Sequence, residues 1–283
     1  MRRLLERLFL ILAGAGLLLL LFCYWTAVSD PVVRNARIPV AGWPAGTPPL
    51  RLLLISDIHV GGPDMPPARL ARIVEQINGL GSDLVLIAGD FITDRQVATR
   101  HYSLAEAVAP LAALAPKIGT FAVLGNHDHW RDAAEARVRL SAAGVIVLDN
   151  EAVQAGPLAI GGLDDAYTAH ADVTRTVGQL RALPGARLLI SHSPDPFPAV
   201  PRDVALMVAG HTHCGQIRLP LIGAVSTMSD YGDRYACGRI EEGGKVLVVS
   251  AGVGTSILPL RLLAGPDLWL IELRPAPAPE PRR

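Results

Sequence analysis

Five polar clusters rich in aspartate, asparagine and histidine follow apolar runs in this 283-residue chain. Carboxylate oxygens, amide oxygens and imidazole nitrogens are ligands that Mn, Fe and Zn accept in proteins. Gathered at the ends of neighbouring strands, such residues would form a metal centre. In chain order the clusters are Asp57-Ile58-His59, Gly89-Asp90, Gly125-Asn126-His127-Asp128, His192 and Gly210-His211-Thr212-His213.

Taken one at a time, most of these clusters have a simpler explanation. Asp57, Asp90 or His192 alone would more often be a turn former or a structural side chain. His211 and His213 are more informative, because two imidazoles separated by one residue can point the same way and bind one metal. The order of all five clusters, each at the end of an apolar run, favours a shared metal site.

The apolar runs that precede the clusters have the length and composition of buried strands. Helical spacing separates several of them, as between Leu70 and Ile77, and Asp132 and Asp172 are placed to cap two further helices. This alternation predicts a layered α/β fold, with two packed sheets and helices outside. The predicted strands are residues 51–56, 83–88, 120–124, 158–161, 187–190, 204–208, 246–249 and 268–273.

The N-terminus contains an uncharged apolar run of 21 residues, from Leu8 to Val28. This length matches the ~20 residues that span a bilayer as a helix. Arg2, Arg3 and Arg7 precede the run, and Arg34 and Arg37 follow it. This mild charge bias favours a cytoplasmic N-terminus with an exported C-terminal domain. A cleaved signal peptide is the alternative. The uncleaved anchor is favoured because the run exceeds a usual signal core and no clean cleavage site follows it.

The predicted organisation has four parts. Residues 1–29 form the membrane anchor, and residues 30–49, rich in Pro, Gly and Ala, form a linker with one short strand. Residues 50–274 form the catalytic domain, and residues 275–283 form a Pro-rich tail that we expect to be extended.

Charge and cysteine content limit the possible partners and compartments. Lys plus Arg and Asp plus Glu both number 26, so the chain lacks the basic surface that non-specific nucleic-acid binding requires. Three cysteines are too few for a disulfide framework. Cys214 and Cys237 could pair or could be two buried thiols, and the second interpretation is favoured because free Cys is usually buried.

The five clusters resemble the motif series of the calcineurin-like metallophosphoesterase superfamily over roughly residues 50 to 273, with no block missing. The resemblance implies a four-layer α/β/β/α sandwich of two mixed β-sheets flanked by helices. It also implies two divalent metal ions, Mn, Fe or Zn, with Asp90 bridging them. By correspondence, the first ion would be held by Asp57, His59, Asp90 and His213, and the second by Asp90, Asn126, His192 and His211.

The same resemblance gives His127 a catalytic role, either as a proton donor to the leaving group or in stabilising charge there. Asp128 is expected to hold the other ring nitrogen of His127, which is the usual way to orient an imidazole. Asp94, Arg95 and Tyr167 are weaker candidates. The planar guanidinium of Arg95 would suit a phosphate, although a surface loop position is favoured for it.

The chain looks most like the membrane-associated bacterial branch of this superfamily, which includes lipid-processing phosphodiesterases and UDP-2,3-diacylglucosamine hydrolases. The function expected from this likeness is hydrolysis of a phosphoester at the cell membrane, with an envelope or lipid-linked substrate and no protein partner. The alternative is a catalytically silent, metal-bound membrane scaffold. Such a scaffold would be expected to have lost ligand residues, whereas every ligand position of this chain is filled.

Overall fold

A computed structural model describes residues 1–95 and 98–276 of the chain. Its α-helices are α1 (Arg2–Val28), α2 (Pro67–Gly79), α3 (Leu104–Val108), α4 (Asn126–Ala142) and α5 (Val173–Ala182). Its strands are β1 (Val32–Val40), β2 (Leu50–Ile55), β3 (Leu84–Ala88), β4 (Gly119–Val123), β5 (Val145–Val147), β6 (Glu151–Ala155), β7 (Leu158–Gly162), β8 (Ala186–Ile190), β9 (Leu206–Ala209), β10 (Arg218–Leu219), β11 (Gly223–Ala224), β12 (Gly238–Glu242), β13 (Lys245–Val249) and β14 (Asp267–Pro275).

Two six-stranded sheets carry the fold. The first has the order β1-β14-β2-β3-β4-β5, and the second has the order β12-β13-β9-β8-β7-β6. Both are mixed: β2 to β5 run parallel, whereas β14 is antiparallel to β2, and β7, β8, β9 and β13 run parallel between antiparallel edge strands. All the predicted strands are present.

Alternating side chains on each strand build the layers. On β2, Leu52 and Leu54 point into the apolar layer between the two sheets, where they join Leu188 and Ile190 of β8. The intervening residues, Leu53 and Ile55, join the cluster that packs the first sheet against α2, α3 and α4. The second sheet packs its outer face against α5 in a third cluster. The predicted four-layer α/β/β/α sandwich is therefore confirmed.

Two of the predicted helix caps are present. Asp172 accepts a hydrogen bond from the Arg175 backbone at the start of α5, at 2.9 Å. Asp132 likewise accepts from Glu135 at 2.9 Å, but it does so inside α4, at a kink where its own backbone is extended. The helix begins earlier than predicted, at Asn126, so the third polar cluster forms its first turn.

The segment predicted as a linker, residues 30–49, contributes a full strand to the fold. In place of one short strand, the structure has the nine-residue β1, which pairs in parallel with β14 over its whole length. The buried side chains of Ile38 and Val40 explain this difference, because they extend the layer between the sheets. Of the predicted tail, residues 277–283 lie outside the described residues.

Helix α1 has 27 residues and is long and apolar enough to span a membrane. Most of it makes no contact with the sandwich, but its last two turns do. Cys23 and Ala27 are buried there, and the carbonyl of Cys23 accepts a hydrogen bond from the backbone of Arg261 at 3.0 Å. The end of the helix is therefore attached to the domain.

Cys214 and Cys237 form a disulfide, so the favoured interpretation of two buried thiols is wrong. The chain between these residues, which are 23 positions apart in sequence, folds back through the β10–β11 hairpin. Their Cα atoms are 4.7 Å apart, within the usual range for a bridge. Cys237 is also exposed, so it does not behave as a buried apolar residue. The bridge ties the segment that follows His213 to the start of β12.

Replacing both bridged cysteines (Cys214→Ala with Cys237→Ala) should lower the free energy of unfolding by about 3 kcal/mol, since the bridge closes a loop of this size in the unfolded chain. The measurement is denaturant unfolding of the full-length protein in detergent, with metal removed by chelation. Cys23→Ala is the matched control, because Cys23 is not bridged. Equal stability of the double variant and the control would contradict a stabilising bridge.

Candidate metal centre

The carboxyl ends of five parallel strands deliver the predicted ligands to one place. Asp57, Asp90 and Asn126 follow β2, β3 and β4 of the first sheet. His192 and His211 follow β8 and β9 of the second sheet. The two edges meet directly, because the carboxylate of Asp57 accepts from the backbone of His211 at 2.9 Å and Nδ1 of His192 lies 2.8 Å from the carbonyl of Ala88.

One half of the site is formed by Asp57, His59, Asp90 and His213. Nε2 of His59 lies 3.1 Å from Nε2 of His213 and 3.4 Å from Oδ2 of Asp90. Nε2 of His213 lies 3.6 Å from Oδ1 of Asp57. These donor atoms converge on a common point, as ligands of one ion would.

The other half is formed by Asp90, Asn126, His192 and His211. Nε2 of His192 lies 3.2 Å from Oδ2 of Asp90, 3.1 Å from Oδ1 of Asn126 and 3.1 Å from Nδ1 of His211. The same oxygen of Asp90 thus faces both halves. The structure brings all seven predicted ligand residues together, with Asp90 between the two groups.

The backbone of this site is held in an uncommon conformation. Five of the seven residues have a positive φ, a region that side-chain-bearing residues seldom adopt and that is concentrated at functional sites. Glycines before the ligands allow the strand ends to approach: a Cβ at Gly89 would lie 2.7 Å from the backbone nitrogen of Gly125 and from Nδ1 of His192. The five φ angles are 48° at Asp57, 48° at His59, 58° at Asp90, 70° at His211 and 49° at His213.

Burial and mutual charge set the protonation of the two central carboxylates. Burial, supported by the charge of Asp90, raises the pKa of Asp57 to about 6. Burial also acts to raise the pKa of Asp90, but the imidazoles of His192, His127 and His59 together hold it well below its usual value. Two carboxylates this close and this buried need positive charge beside them.

The imidazoles are suited to supply lone pairs. Burial lowers the pKa of His59 and His213 well below the usual value, and it lowers the pKa of His211 to about 4. His192 is the exception: burial opposes its protonation, but Asp90 and Asp57 raise its pKa well above the usual value. The neutral imidazoles of His59 and His213, facing each other at 3.1 Å beside anionic carboxylates, form a donor set that fits a divalent cation, whereas His192 would release its proton on binding one.

His127 lies at the rim of this site, and its orienting partner is Asp94 rather than Asp128. Nδ1 of His127 lies 2.5 Å from Oδ1 of Asp94, and the backbone nitrogen of His127 donates to Asp90 at 3.0 Å. The predicted hydrogen bond between Asp128 and His127 is therefore wrong. The reason is that α4 begins at Asn126 and turns neighbouring side chains in different directions.

Asp128 instead holds the backbone beneath the site. Its fully buried carboxylate accepts from the backbone nitrogens of Asp90, Phe91 and Gly125, each at 2.9 Å. Burial, together with the charge of Asp90, raises the pKa of Asp128 to about 7. Asp128 thereby joins the turn after β3 to the start of α4.

Two aromatic side chains that face the site are half-exposed. Trp130 packs edge-on against His127, with ring centroids 4.9 Å apart, and Tyr167 lies 4.8 Å from His211. Trp130 lies outside the five polar clusters, so no sequence motif identifies it as a site residue. The surface loop position favoured for Arg95 is wrong. The Arg95 side chain is buried, and its guanidinium pairs with the carboxylate of Asp64 at 2.6 Å.

The chain belongs to the calcineurin-like phosphoesterase family, whose model matches residues 50–215. This range contains every residue described above as part of the site. The predicted family is thus confirmed, and the domain is that of a metal-dependent hydrolase of phosphoric esters.

Several relatives carry the same assignment. The phosphodiesterase YaeI of Escherichia coli is 30% identical over 240 residues, covering 80% of this chain and 82% of YaeI. The metallophosphoesterase YkuE of Bacillus subtilis is 30% identical, covering 82% of this chain and 81% of YkuE. A zebrafish (Danio rerio) transmembrane protein with metallophosphoesterase domain is 30% identical over 88% of this chain, which spans only 59% of that protein. Among solved structures, a 5'-nucleotidase precursor from Thermus thermophilus aligns with a TM-score of 0.47 at 15% identity, covering 79% of this chain and 55% of that one.

Asp94→Asn and Asp128→Asn should distinguish orientation of His127 by Asp94 from support of the backbone by Asp128. Loss of the Asp94 charge should lower kcat by roughly 10–100-fold, which is part of the ~10²–10⁴ that an acid catalyst contributes. Metal content and stability should stay unchanged.

Asp128→Asn should instead destabilise the fold by about 1–3 kcal/mol, because its amide group cannot accept hydrogen bonds from all three backbone donors. Metal analysis, kcat and unfolding midpoints check both. If Asp94→Asn lost its metals, Asp94 would not be acting through His127.

Metal binding should strengthen as pH rises through about 6. Asp57 carries its raised pKa in the metal-free protein, so below that pH a bound proton must leave before a cation can enter. Titration calorimetry of Mn²⁺ into chelator-treated protein at pH 5.5, 6.5 and 7.5, in buffers of different ionisation enthalpy, checks this. Affinity should rise with pH and proton release should shrink; constant affinity over this range would contradict the raised pKa.

Proposed function

We propose that this protein is a membrane-anchored phosphoesterase that uses two divalent metal ions and acts on a lipid-linked or envelope phosphodiester. The observation that carries the proposal is the convergence of six metal-ligand side chains from two sheets around a seventh, Asp90. Family membership supports the hydrolytic chemistry. The membrane and the substrate class rest on α1 and on the surroundings of the site.

The ligand roles follow from the two halves of the site. Oδ2 of Asp90 is shared, so Asp90 would bridge the ions. Mixed nitrogen and oxygen donors suit Mn, Fe or Zn. The first ion would be held by Asp57, His59, Asp90 and His213, and the second by Asp90, Asn126, His192 and His211. When bound, such a pair neutralises phosphate charge and lowers the pKa of bound water, which provides the nucleophile.

Side chains around the metal centre complete the proposed reaction. His127 donates a proton to the leaving-group oxygen, and Asp94 holds the imidazole in position through Nδ1, which leaves Nε2 for the substrate. Asp128 fixes the backbone that carries Asp90 and Asn126. Trp130 and Tyr167 contact the part of the substrate next to the phosphate.

The proposed side of the membrane is supported by two independent features. Arginines at positions 2, 3 and 7 lie before the apolar run and favour a cytoplasmic N-terminus. The Cys214–Cys237 disulfide is of the kind that persists outside the reducing cytoplasm. Both favour an extracytoplasmic catalytic domain on a single-pass anchor.

The substrate is proposed from this setting. The equal number of acidic and basic residues argues against nucleic acid. An anchored domain meets substrates that are themselves confined to the membrane, and YaeI is named a phosphodiesterase. A panel of UDP-2,3-diacylglucosamine, phospholipids and simple diesters would identify the substrate within this class.

Full-length protein in detergent with Mn²⁺ should hydrolyse bis-p-nitrophenyl phosphate. His127→Ala should keep its metal and lose about 10²–10⁴ in rate, as expected for removal of an acid catalyst. Asp90→Ala should lose the pair of ions, because the shared ligand is gone. Val138→Ala, an exposed change on α4, is the matched control and should behave as wild type.

Three outcomes would contradict the proposal. No turnover with any of Mn²⁺, Fe²⁺ or Zn²⁺ would favour the silent scaffold. Loss of both ions in His127→Ala would make His127 a ligand and remove its role as acid. Two tightly bound ions in Asp90→Ala would refute the bridging assignment.

A further inference from the structure

Beside the metal centre lies a group of exposed apolar side chains that we call the apolar rim. It comprises the β10–β11 hairpin and a loop of the segment between β13 and β14. Exposure of its side chains ranges from 37% for Leu219 to complete for Leu221. Large exposed apolar patches on soluble surfaces mark interaction sites. The members are Leu219, Leu221, Ile222, Val225, Ile257, Leu258 and Leu263.

The two loops of the apolar rim form one surface. Ile217 and Leu262 pair as a β-bridge, with the backbone of Arg218 donating to the carbonyl of Leu262 at 2.9 Å. The side chain of Gln216 donates to the carbonyl of Leu258 at 3.0 Å. The hairpin and the loop are therefore held side by side.

The exposed side chains that define this surface are uncharged, and the charges at its edge, Arg218 and Asp233, face each other at 3.7 Å. Residues 219–229 contain no Asp, Glu, Lys or Arg, and residues 256–266 contain one such residue, Arg261. The Arg261 side chain is fully buried and donates to the carbonyls of Ala251, Gly254 and Ala264. A surface without charge can enter the interfacial layer of a bilayer at little desolvation cost.

The apolar rim is attached to α1 at the depth where a membrane would end. The backbone of Arg261 donates to the carbonyl of Cys23, and Gly265 lies next to Thr26. At 1.5 Å per residue, Cys23 lies roughly 7–8 Å before the end of the helix, whose ~40 Å length exceeds the ~30 Å hydrocarbon core. The aromatic residues Tyr24 and Trp25 lie at the same level, as interfacial aromatics do.

The apolar rim is also continuous with the metal centre. The hairpin begins five residues after His213, and Nε2 of His211 lies 3.0 Å from the carbonyl of Met228, between the hairpin and the disulfide. The guanidinium of Arg261 lies 3.3 Å from Nδ1 of His213. A bilayer that contacts the apolar rim would therefore bring its phosphate headgroups close to the ligands.

We propose that the apolar rim inserts into the interface of the same bilayer that holds α1, so that the substrates are phosphoesters presented at the membrane surface on an apolar chain. This inference rests on the membrane span in the proposed function. The occupant is the bilayer, because the rim lies against the last two turns of α1 and its exposed side chains are apolar.

The test uses the full chain reconstituted into vesicles of phosphatidylcholine and phosphatidylglycerol that contain a phospholipid with a photoactivatable diazirine in its acyl chain. After illumination, digestion and mass spectrometry, lipid adducts are expected on α1 and on peptides covering residues 217–225 and 256–263. Exposed apolar residues elsewhere, Val138 and Ile146, are the matched controls and should carry none.

Introducing charge with Leu221→Glu and Ile222→Glu should reduce adducts on both rim peptides by roughly tenfold or more, since moving a carboxylate from water into an apolar layer is costly. Labelling of α1 should stay unchanged. Both positions are exposed, so the fold should be retained, which the unfolding midpoint checks.

Each alternative result is distinguishable. Labelled α1 with unlabelled rim peptides would overturn the rim contact and leave the anchor intact. An unlabelled α1 would overturn both. Rim peptides protected from lipid in a chain that cross-links to itself would assign the surface to a second copy. Turnover of bis-p-nitrophenyl phosphate is measured separately, so failure of the phosphoesterase activity would not be confused with any of these results.

Discussion

The carboxylate of Asp90 is a buried negative charge that the surrounding structure must compensate. It lies between His59 and His192, accepts a hydrogen bond from the backbone of His127, and its own backbone is held by Asp128. No single element provides these partners. The two sheets must pack face to face with the carboxyl ends of their parallel strands on the same side for the imidazoles of both to reach one oxygen. The layered fold is therefore the means by which this charge is stabilised and made available to cations.

The sequence contained most of the information needed for the layers and the ligands. Buried parallel strands are apolar along their whole length, so β2, β3 and β4 are visible as short runs, and a polar residue at the end of each run marks the site. The ligand positions could be predicted because metal chemistry allows few residue types. Asp172 and Asp132 were equally visible, since capping depends only on local sequence.

Other features depend on contacts between distant residues, and sequence patterns do not record them. The choice between Asp94 and Asp128 as partner of His127 depends on the direction in which the first turn of α4 points its side chains. The bridge between Cys214 and Cys237 depends on the path of the hairpin between them. Strand β1 lies in a segment rich in Pro and Gly, and only its pairing with β14 makes it a strand.

The left-handed backbone of the ligand residues also restricts which side chains could replace them. Asp, Asn and His are enriched several-fold among the non-glycine residues that adopt positive φ, and this enrichment favours them over Glu and Cys as ligands at such positions. At Asp57, His59, Asp90, His211 and His213 the side chain must therefore satisfy both a cation and a strained main chain. Exchanging the ligands for another metal would therefore have to respect the backbone conformation as well as the donor atoms.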